Sequence, residues 1–171
     1  QAVRAGLAGA VEQANAEPEI KAVILTCSGR TFIAGADIRE FNRPPEPPHL
    51  PDVIASIEAS TKLFIAAIHG TALGGGLEVA LGCHHRIARA DASVGFPEVN
   101  LGLIPGATGT QRLPRIAGVQ VALDMMVSGR PVRADKAKIS GVIDEVVEEG
   151  ELVDAAKAYA RTLIDGGVMP R

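Results

Sequence analysis

The chain has 171 residues, of which 47% are hydrophobic and 22% are charged, a composition typical of one globular domain with a substantial core. A formal net charge of -3, with acids and bases interspersed, gives no basis for binding to nucleic acid or to a membrane surface. No apolar run is long enough to span a bilayer. Aromatic residues make up only 3%, so we expect a core of Val, Ile, Leu and Ala.

The first elements indicate a layered α/β structure. Ala2 to Asn15 has apolar residues at helical spacing and predicts a helix. Lys21 to Cys27 contains a continuous apolar run, which is typical of a strand covered on both faces. Ser28 to Asp37 is then predicted to be a loop.

A proline-rich segment interrupts this pattern. Arg43 to Pro51 holds five of the eleven prolines, and we expect a non-helical surface excursion rather than a domain linker. Asp52 is a candidate N-cap for a helix that runs through Ile57 toward Leu63. Phe64 to Ile68 is predicted to be the second buried strand.

A run of three glycines then precedes a short predicted helix. Gly74 to Gly76 come directly before Leu77 to Leu81, and Gly82 is expected to close the helix. Glycines allow a backbone to approach a ligand closely, and the start of a helix favours anions. If the N–H of Gly75 faces a ligand oxygen, Glu78 lies about one turn away on the same face. An oxyanion donor and a proton-transfer group would then share one element.

Other glycine-rich and catalytic motifs do not fit. The glycines lead into Leu77 and Glu78 instead of the Gly-Lys-Ser/Thr of a phosphate-binding loop, and a dinucleotide fingerprint would end on Val79. Motifs of the types G-x-S-x-G, H-E-x-x-H and C-x-x-C are absent from the sequence. Taken alone, the pattern fits equally well a tight strand-to-helix turn followed by an exposed first-turn acid.

The remaining chain alternates short strands and helices. Strands are predicted at His85 to Ala88, Ala92 to Phe96 and Val142 to Val147, and helices at Thr110 to Ile116, Val121 to Val127, Ala134 to Ser140 and Leu152 to Ile164.

Histidines and cysteines receive ordinary structural interpretations. His69, His84 and His85 lack accompanying residues at metal-ligand spacing, so hydrogen-bonding roles are favoured and no metal site is predicted. Cys27 and Cys83 lie in apolar segments and are expected to be small buried thiols.

Three segments carry a family resemblance. Phe32 to Phe41 (FIAGADIREF), Ile68 to Cys83 (IHGTALGGGLEVALGC) and Phe96 to Arg115 (FPEVNLGLIPGATGTQRLPR) resemble the signatures of the enoyl-CoA hydratase/isomerase family, also called crotonases. The likeness is closest to the hydratase/isomerase part of multifunctional fatty-acid oxidation proteins. It implies an α/β fold, the crotonase-like (ClpP/crotonase) spiral of strand-strand-helix units, in a single domain over 1–171. It also implies a strand hairpin before the chain and trimerisation helices after it.

The resemblance assigns roles to individual residues. In the family, two backbone N–H groups form the oxyanion hole, here those of Ala36 and Gly75, and two glutamates are catalytic, here Glu78 and Glu98. The implied substrate-binding residues are Ala34, Ala36, Asp37, Ile38, Arg39, Gly74 and Gly75. No cofactor is implied, because the CoA thioester is itself the substrate.

The implied activity is hydration of 2-enoyl-CoA thioesters in fatty-acid β-oxidation. By analogy Glu78 would activate water and Glu98 would protonate C2, whereas a 3-enoyl to 2-enoyl isomerase needs one base, at Glu98. A non-catalytic acyl-CoA-binding protein of the same fold is a further alternative. The implied partners are an acyl-CoA and either a homotrimer or a fused dehydrogenase domain, with neither nucleic acid nor membrane. The bacterial cytoplasm is the expected location, with peroxisomes and mitochondria as alternatives.

Overall fold

The structure is a computed structural model that describes residues 1–37, 44, 46–148, 150, 152–168 and 170. In chain order the α-helices are α1 (Ala2–Ala16), α2 (Leu50–Glu58), α3 (Gly75–Gly82), α4 (Gly109–Ala117), α5 (Val119–Ser128), α6 (Ala134–Ile139) and α7 (Leu152–Asp165). The strands are β1 (Ala22–Leu25), β2 (Leu63–Ile68), β3 (Thr71–Leu73), β4 (His85–Arg89), β5 (Ser93–Gly95), β6 (Val132–Arg133) and β7 (Glu145–Val147). A 3₁₀ helix spans Pro97–Leu101.

Two small sheets organise these elements. The larger is fully parallel, in the order β1-β2-β4-β7. In the smaller sheet β3 pairs parallel with β5, and β5 pairs antiparallel with β6. An isolated parallel bridge between Ile33 and Ala72 brings the preceding loop beside β3. The end of that loop is thereby carried toward the glycine turn that follows β3.

Strand β2 shows why its sequence has no polar alternation. All six residues of Leu63–Ile68 are buried. Phe64 and Ile68 point into the main core, whereas Ile65 lies in a second cluster with Ala156 of α7. Helices therefore cover both faces of the sheet, as continuous apolar runs in parallel strands predict. The layered α/β expectation is confirmed.

Helix α2 corrects two predictions. The N-cap is His49 rather than Asp52, and the helix begins at Leu50, so Pro51 lies in its first turn. A proline is tolerated there because first-turn N–H groups have no intrahelical partner. The expected non-helical segment thus ends earlier than Pro51. Helix α2 also stops at Glu58, and Leu63 begins β2 instead of extending the helix.

The shortest elements were missed or displaced. Strand β3, strand β6 and the 3₁₀ helix were not expected, since stretches of two to five residues carry too little periodicity to identify. The predicted strand from Val142 covers only Glu145–Val147. The amides of Val142 and Ile143 donate instead to the carbonyl of Ala137, which turns the chain after α6.

The core is mainly aliphatic, as the composition predicts. Its buried aromatic side chains in the described residues are Phe32, Phe64 and Phe96. Cys83 is buried, and burial raises the pKa of its thiol to about 12, whereas Cys27 is only half-buried. None of the helices that the structure describes is both long and apolar enough to cross a bilayer.

Candidate active site

The glycine turn before α3 has a backbone that other residues could not adopt easily. Gly74 has φ +52°, and its N–H donates to the carbonyl of Gly95 at 2.9 Å. A Cβ atom at Gly76 would lie 2.1 Å from the carbonyl oxygen of Ile33, so two backbones are in direct contact there. Helix α3 begins at Gly75, two residues earlier than Leu77. The glycines therefore form the first turn of the helix itself.

Glu78 is a buried acid held by backbone amides. It is 2% exposed, and its Oε1 accepts hydrogen bonds from the N–H groups of Ala107 and Gly109, each at 2.7 Å. The residue between these donors, Thr108, has φ +77° and lies in the left-handed region. Successive amides around such a residue converge on an anion. The interpretation of Glu78 as an exposed first-turn acid is therefore wrong.

Opposing effects act on the protonation of Glu78. Burial raises the pKa of this carboxyl above its ordinary value, and the amides of Gly109 and Ala107 and the positive charge of Arg112 limit the rise. The net direction is upward. Hydrogen bonds from N–H groups stabilise the ionised form, so Glu78 has dedicated support for acting as a carboxylate.

Glu98 has a different environment. It lies in the first turn of the 3₁₀ helix, and its Oε2 is buried without a hydrogen-bond partner in the described residues. Burial raises the pKa of Glu98, its own backbone N–H lowers it, and the charge of Glu78 raises it further. A buried carboxyl oxygen without a donor favours the protonated acid. The two glutamates are therefore supported in opposite protonation states.

Both carboxyl groups face the glycine turn. A Cβ at Gly74 would lie 2.8 Å from Oε1 of Glu98, and a Cβ at Gly75 would lie 4.0 Å from Oε2 of Glu78. The Phe96 ring packs close to the Gly109 backbone, where a Cβ would lie 2.6 Å from its Cζ. The sequence-predicted pair of acids is thus brought together beside one turn, with an apolar ring next to it.

The loop that would supply the second amide runs alongside this turn. Gly35 has φ +120°, and a Cβ there would lie 3.6 Å from the carbonyl oxygen of Leu73. Ala34, Ala36 and Asp37 belong to this described loop. The pairing of the Ala36 and Gly75 amides as an oxyanion hole stays a prediction.

Two further predicted substrate-binding residues, Ile38 and Arg39, lie outside the described residues.

Sequence reasoning missed the residues that hold Glu78. These are the amides of Ala107 and Gly109, the turn residue Thr108, and the charge of Arg112 from α4. Backbone donors leave no side-chain signature in a sequence. The available signal was the Gly-Ala-Thr-Gly stretch, in which Thr108 occupies a backbone conformation that favours glycine.

The histidines have structural partners, as predicted. Nδ1 of His84 accepts the N–H of Phe64 at 2.9 Å, and its Nε2 lies 3.2 Å from the carbonyl oxygen of Glu58. Nε2 of His69 contacts the carbonyl of Gly29, and His85 contacts Asp144 at 3.8 Å. Within the described part of the chain, no group of three or more His, Cys, Asp or Glu side chains could hold a metal ion.

A cavity of about 360 Å³ lies elsewhere on the molecule. Its lining includes His84, His85 and Arg115 but neither Glu78 nor Glu98. This cavity is therefore separate from the paired acids, which carry the chemistry.

Known proteins match this chain along nearly its whole length. Residues 1–169 match the family model for enoyl-CoA hydratase/isomerase. The chain is 47% identical over 152 residues to a human peroxisomal bifunctional enzyme, covering 88% of this chain but 21% of that protein. It is 43% identical over 162 residues to a probable enoyl-CoA hydratase of Bacillus subtilis, covering 90% and 63%. The chain thus spans about a fifth of the peroxisomal enzyme and under two thirds of the bacterial protein.

Solved structures agree with this result. A crystal structure of an enoyl-CoA hydratase from Bacillus anthracis has a TM-score of 0.89 at 38% identity, covering 95% of this chain and 66% of that one. An enoyl-CoA hydratase subunit from Geobacillus kaustophilus has a TM-score of 0.85 at 36% identity, covering 94% and 64%. The predicted crotonase-like α/β fold is confirmed. The matched residues, the fold and the paired acids at the glycine turn together place this chain in the enoyl-CoA hydratase/isomerase family.

Proposed function

We propose that this chain carries the site of an enoyl-CoA hydratase, which adds water across the 2,3 double bond of 2-enoyl-CoA thioesters. One observation carries the proposal: two glutamates face the same glycine turn, the buried Glu78 held by two amides and the half-buried Glu98 with a buried Oε2 that has no hydrogen-bond partner in the described residues. Hydration requires a base and an acid at the same time, and unequal environments are how proteins separate these roles.

The two proton transfers of hydration assign each glutamate a role. Ionised Glu78 takes a proton from water as the water oxygen bonds to C3, and the π electrons move through C2 onto the thioester oxygen. Protonated Glu98 then delivers its proton to C2, which gives the 3-hydroxyacyl thioester. Each turnover leaves Glu78 protonated and Glu98 ionised, and transfer of one proton from Glu78 to Glu98 through water restores the starting state.

The thioester oxygen needs stabilisation while it carries negative charge. The amide of Gly75 opens α3, where helix N–H groups have no intrahelical partner and the helix dipole favours an anion. The amide of Ala36 is the proposed second donor. Such fixed donors stabilise the transition state more than the substrate, each by about 3 kcal/mol.

The other parts of the proposal concern substrate and assembly. We propose that the backbone from Ala34 to Arg39 binds the CoA moiety, and that no cofactor is used. The names of the relatives, among them peroxisomal and glyoxysomal β-oxidation proteins, support a role in fatty-acid β-oxidation. The words bifunctional and multifunctional in these names support a fused second domain. We propose a dehydrogenase for that domain, with a homotrimer as the alternative arrangement. A non-catalytic acyl-CoA-binding role is disfavoured by the retention of both acids.

One observation favours isomerisation as a second activity of the same site. Moving a double bond from C3 to C2 requires one group that carries a proton from C4 to C2. Glu98, whose Oε2 has no other partner in the described residues, suits that task once ionised. The amides around Gly75 would stabilise the same type of enolate in both reactions.

Separate assays of the two reactions in the full-length protein test these roles. We expect Glu78→Gln to lower hydration of crotonyl-CoA by about 10² to 10⁴ and to spare isomerisation of a 3-enoyl-CoA. Glu98→Gln should lower both. Glu12→Gln, an exposed change on α1, is the control. Equal loss of both reactions in Glu78→Gln, or full hydration by either site variant, would contradict the proposal.

A further inference from the structure

The turn that holds Glu78 contains a residue in an unfavourable conformation. Thr108 is β-branched, and its φ of +77° lies in a region that β-branched residues rarely adopt. It is the N-cap position of α4, and the amides on either side of it are the two donors to Glu78. Strained residues at such places persist only when neighbouring contacts hold them.

A side-chain contact from Arg112, one turn along α4, helps to hold Thr108, whose hydroxyl also donates to the carbonyl of Ala107. One guanidinium nitrogen of Arg112 donates to the hydroxyl oxygen of Thr108. The other side of the fork binds Glu58 at the end of α2, with Nη2 to Oε2 at 2.6 Å and Nε to Oε1 at 3.2 Å. The Arg112 side chain is only 12% exposed. It therefore joins α2 to the Thr108 turn through a rigid, planar group.

We propose that Arg112 is a positioning residue, which fixes the Thr108 turn in the shape that aims the amides of Ala107 and Gly109 at Glu78. Its importance for rate rests on the function proposed above, but its effect on the turn does not. In the described part of the chain, the side-chain hydrogen bonds of Arg112 go to Thr108 and Glu58 and not to the glycine turn, so Arg112 acts on the chemistry through Glu78.

The charged groups around Glu78 determine what loss of Arg112 should do. Arg112 faces it from α4 and lowers its pKa, while Glu98 faces it from the 3₁₀ helix. Glu58, on α2, faces Arg112 and shares its charge. Without the guanidinium, Glu78 loses a cation and its amides lose alignment. Both losses favour the protonated acid, so the base is ionised only at higher pH.

Kinetics of three variants of the full-length protein separate position from charge. We expect Arg112→Gln to lower kcat for hydration about 10- to 100-fold with KM changed less than about twofold, and to move the acid limb of kcat to higher pH. Arg112→Lys keeps the charge but cannot bind Thr108 and Glu58 together, so kcat should fall. The acid limb of its kcat–pH profile should stay closer to that of the wild type, because the positive charge near Glu78 remains. Thr108→Val removes the hydroxyl at similar shape and should lower kcat in the same direction. Arg133→Gln, an exposed change with the same loss of charge, is the control.

Amide hydrogen exchange tests the positioning role without a measurement of activity. The Ala107 and Gly109 amides should exchange about tenfold faster in Arg112→Gln and in Thr108→Val at unchanged Tm. Protection equal to the wild type in both variants, or an unchanged kcat and pH profile in Arg112→Gln, would overturn the inference. If Arg112→Gln does not fold, exchange of the same two amides in Arg112→Lys decides, because Thr108→Val also removes the hydrogen bond from the hydroxyl to the Ala107 carbonyl. A wild type without hydration activity would refute the proposed function, and exchange would still decide the role of Arg112.

Discussion

Gly74 is the residue at which one added methyl group would disturb the site most directly. A Cβ there would lie 2.8 Å from Oε1 of Glu98, and the backbone φ of +52° disfavours any other residue. We expect Gly74→Ala to displace the Glu98 carboxyl and to lower hydration about 10²-fold, with a loss of about 1–3 kcal/mol in the free energy of unfolding. Crotonyl-CoA hydration and urea unfolding measure the two effects.

A matched glycine on helix α1 provides the control for that change. Gly9 is exposed, and a Cβ there would have no atom within 4 Å. Gly9→Ala should leave activity unchanged and stabilise the protein by about 0.5–1 kcal/mol, because alanine is the better helix former. Full activity in Gly74→Ala would show that the Glu98 carboxyl need not occupy its observed position.

The two glutamates also predict how activity depends on pH. The pKa values of Glu78 and Glu98 are both raised from the ordinary value of 4.5, by burial first in each case. Since the reaction needs Glu78 ionised, the rate should fall as pH drops through a pKa above 4.5. A hydration rate independent of pH down to 4 would contradict this assignment.

Residue-level prediction from sequence succeeded where side chains carry the signal. The segments around Glu78 and Glu98 were recognisable because acids and glycines occur there in a family order. The amides of Ala107 and Gly109 were not, since any residue has a backbone N–H and only the fold aims it. The ion pair between Arg112 and Glu58 joins positions that are 54 residues apart in the sequence, and local sequence patterns cannot reveal such a contact.

At the scale of elements, prediction followed length and burial. The long helices α1 and α7 and the buried strand β2 have enough periodic or continuous apolar residues to be identified. Strand β3 has three residues and exists because it pairs with β5 and with the bridge at Ile33. Such strands depend on tertiary contacts rather than on their own composition.

The contact between Arg86 of β4 and Asp144, the residue before β7, makes the free energy of unfolding depend on pH. Arg86 is buried, its N–H donates to Oδ2 of Asp144 at 2.7 Å, and its guanidinium lies 3.3 Å from the same oxygen. Burial alone would raise the pKa of Asp144, but the contacts with His85 and Arg86 hold it below its ordinary value of 3.8. The stabilisation is therefore present above about pH 4 and is lost as pH falls through the lower folded pKa.

Removal of the Asp144 charge tests this link. Asp144→Asn should lower the free energy of unfolding by about 3 kcal/mol at pH 7, because it leaves the buried Arg86 unpaired. Urea unfolding at pH 7 and at pH 3 should show the difference from wild type narrowing at the lower pH. Asp154→Asn, whose side chain is 88% exposed, should change stability by less than about 0.5 kcal/mol. A difference that widens toward pH 3 would refute the linkage.

For the whole molecule, the fold class predicted from the sequence is confirmed, whereas the homotrimer stays a prediction. Continuous apolar strands and a family resemblance suffice to predict a layered α/β domain. Which surfaces meet other chains depends on exposed residues that carry no periodic signal of their own. The larger exposed apolar side chains near the 3₁₀ helix and α5 are Val99, Leu101, Leu103, Ile104, Val119, Leu123 and Val127.

This exposed apolar surface predicts self-association of the chain. On α5, Val119, Leu123 and Val127 recur at spacings of four residues and are 64%, 51% and 71% exposed, so they form one stripe that water solvates poorly. Contiguous apolar stripes of this kind are commonly covered by protein, and a second copy of the chain presents the same stripe. We expect size-exclusion chromatography with light scattering to give a mass that rises with concentration above 17.7 kDa.

Leu123→Glu with Val127→Lys should return the mass to 17.7 kDa, because two opposite charges keep the net charge unchanged while removing apolar area. A wild-type chain that stays at the monomer mass at all concentrations would show that the stripe does not join copies of this chain.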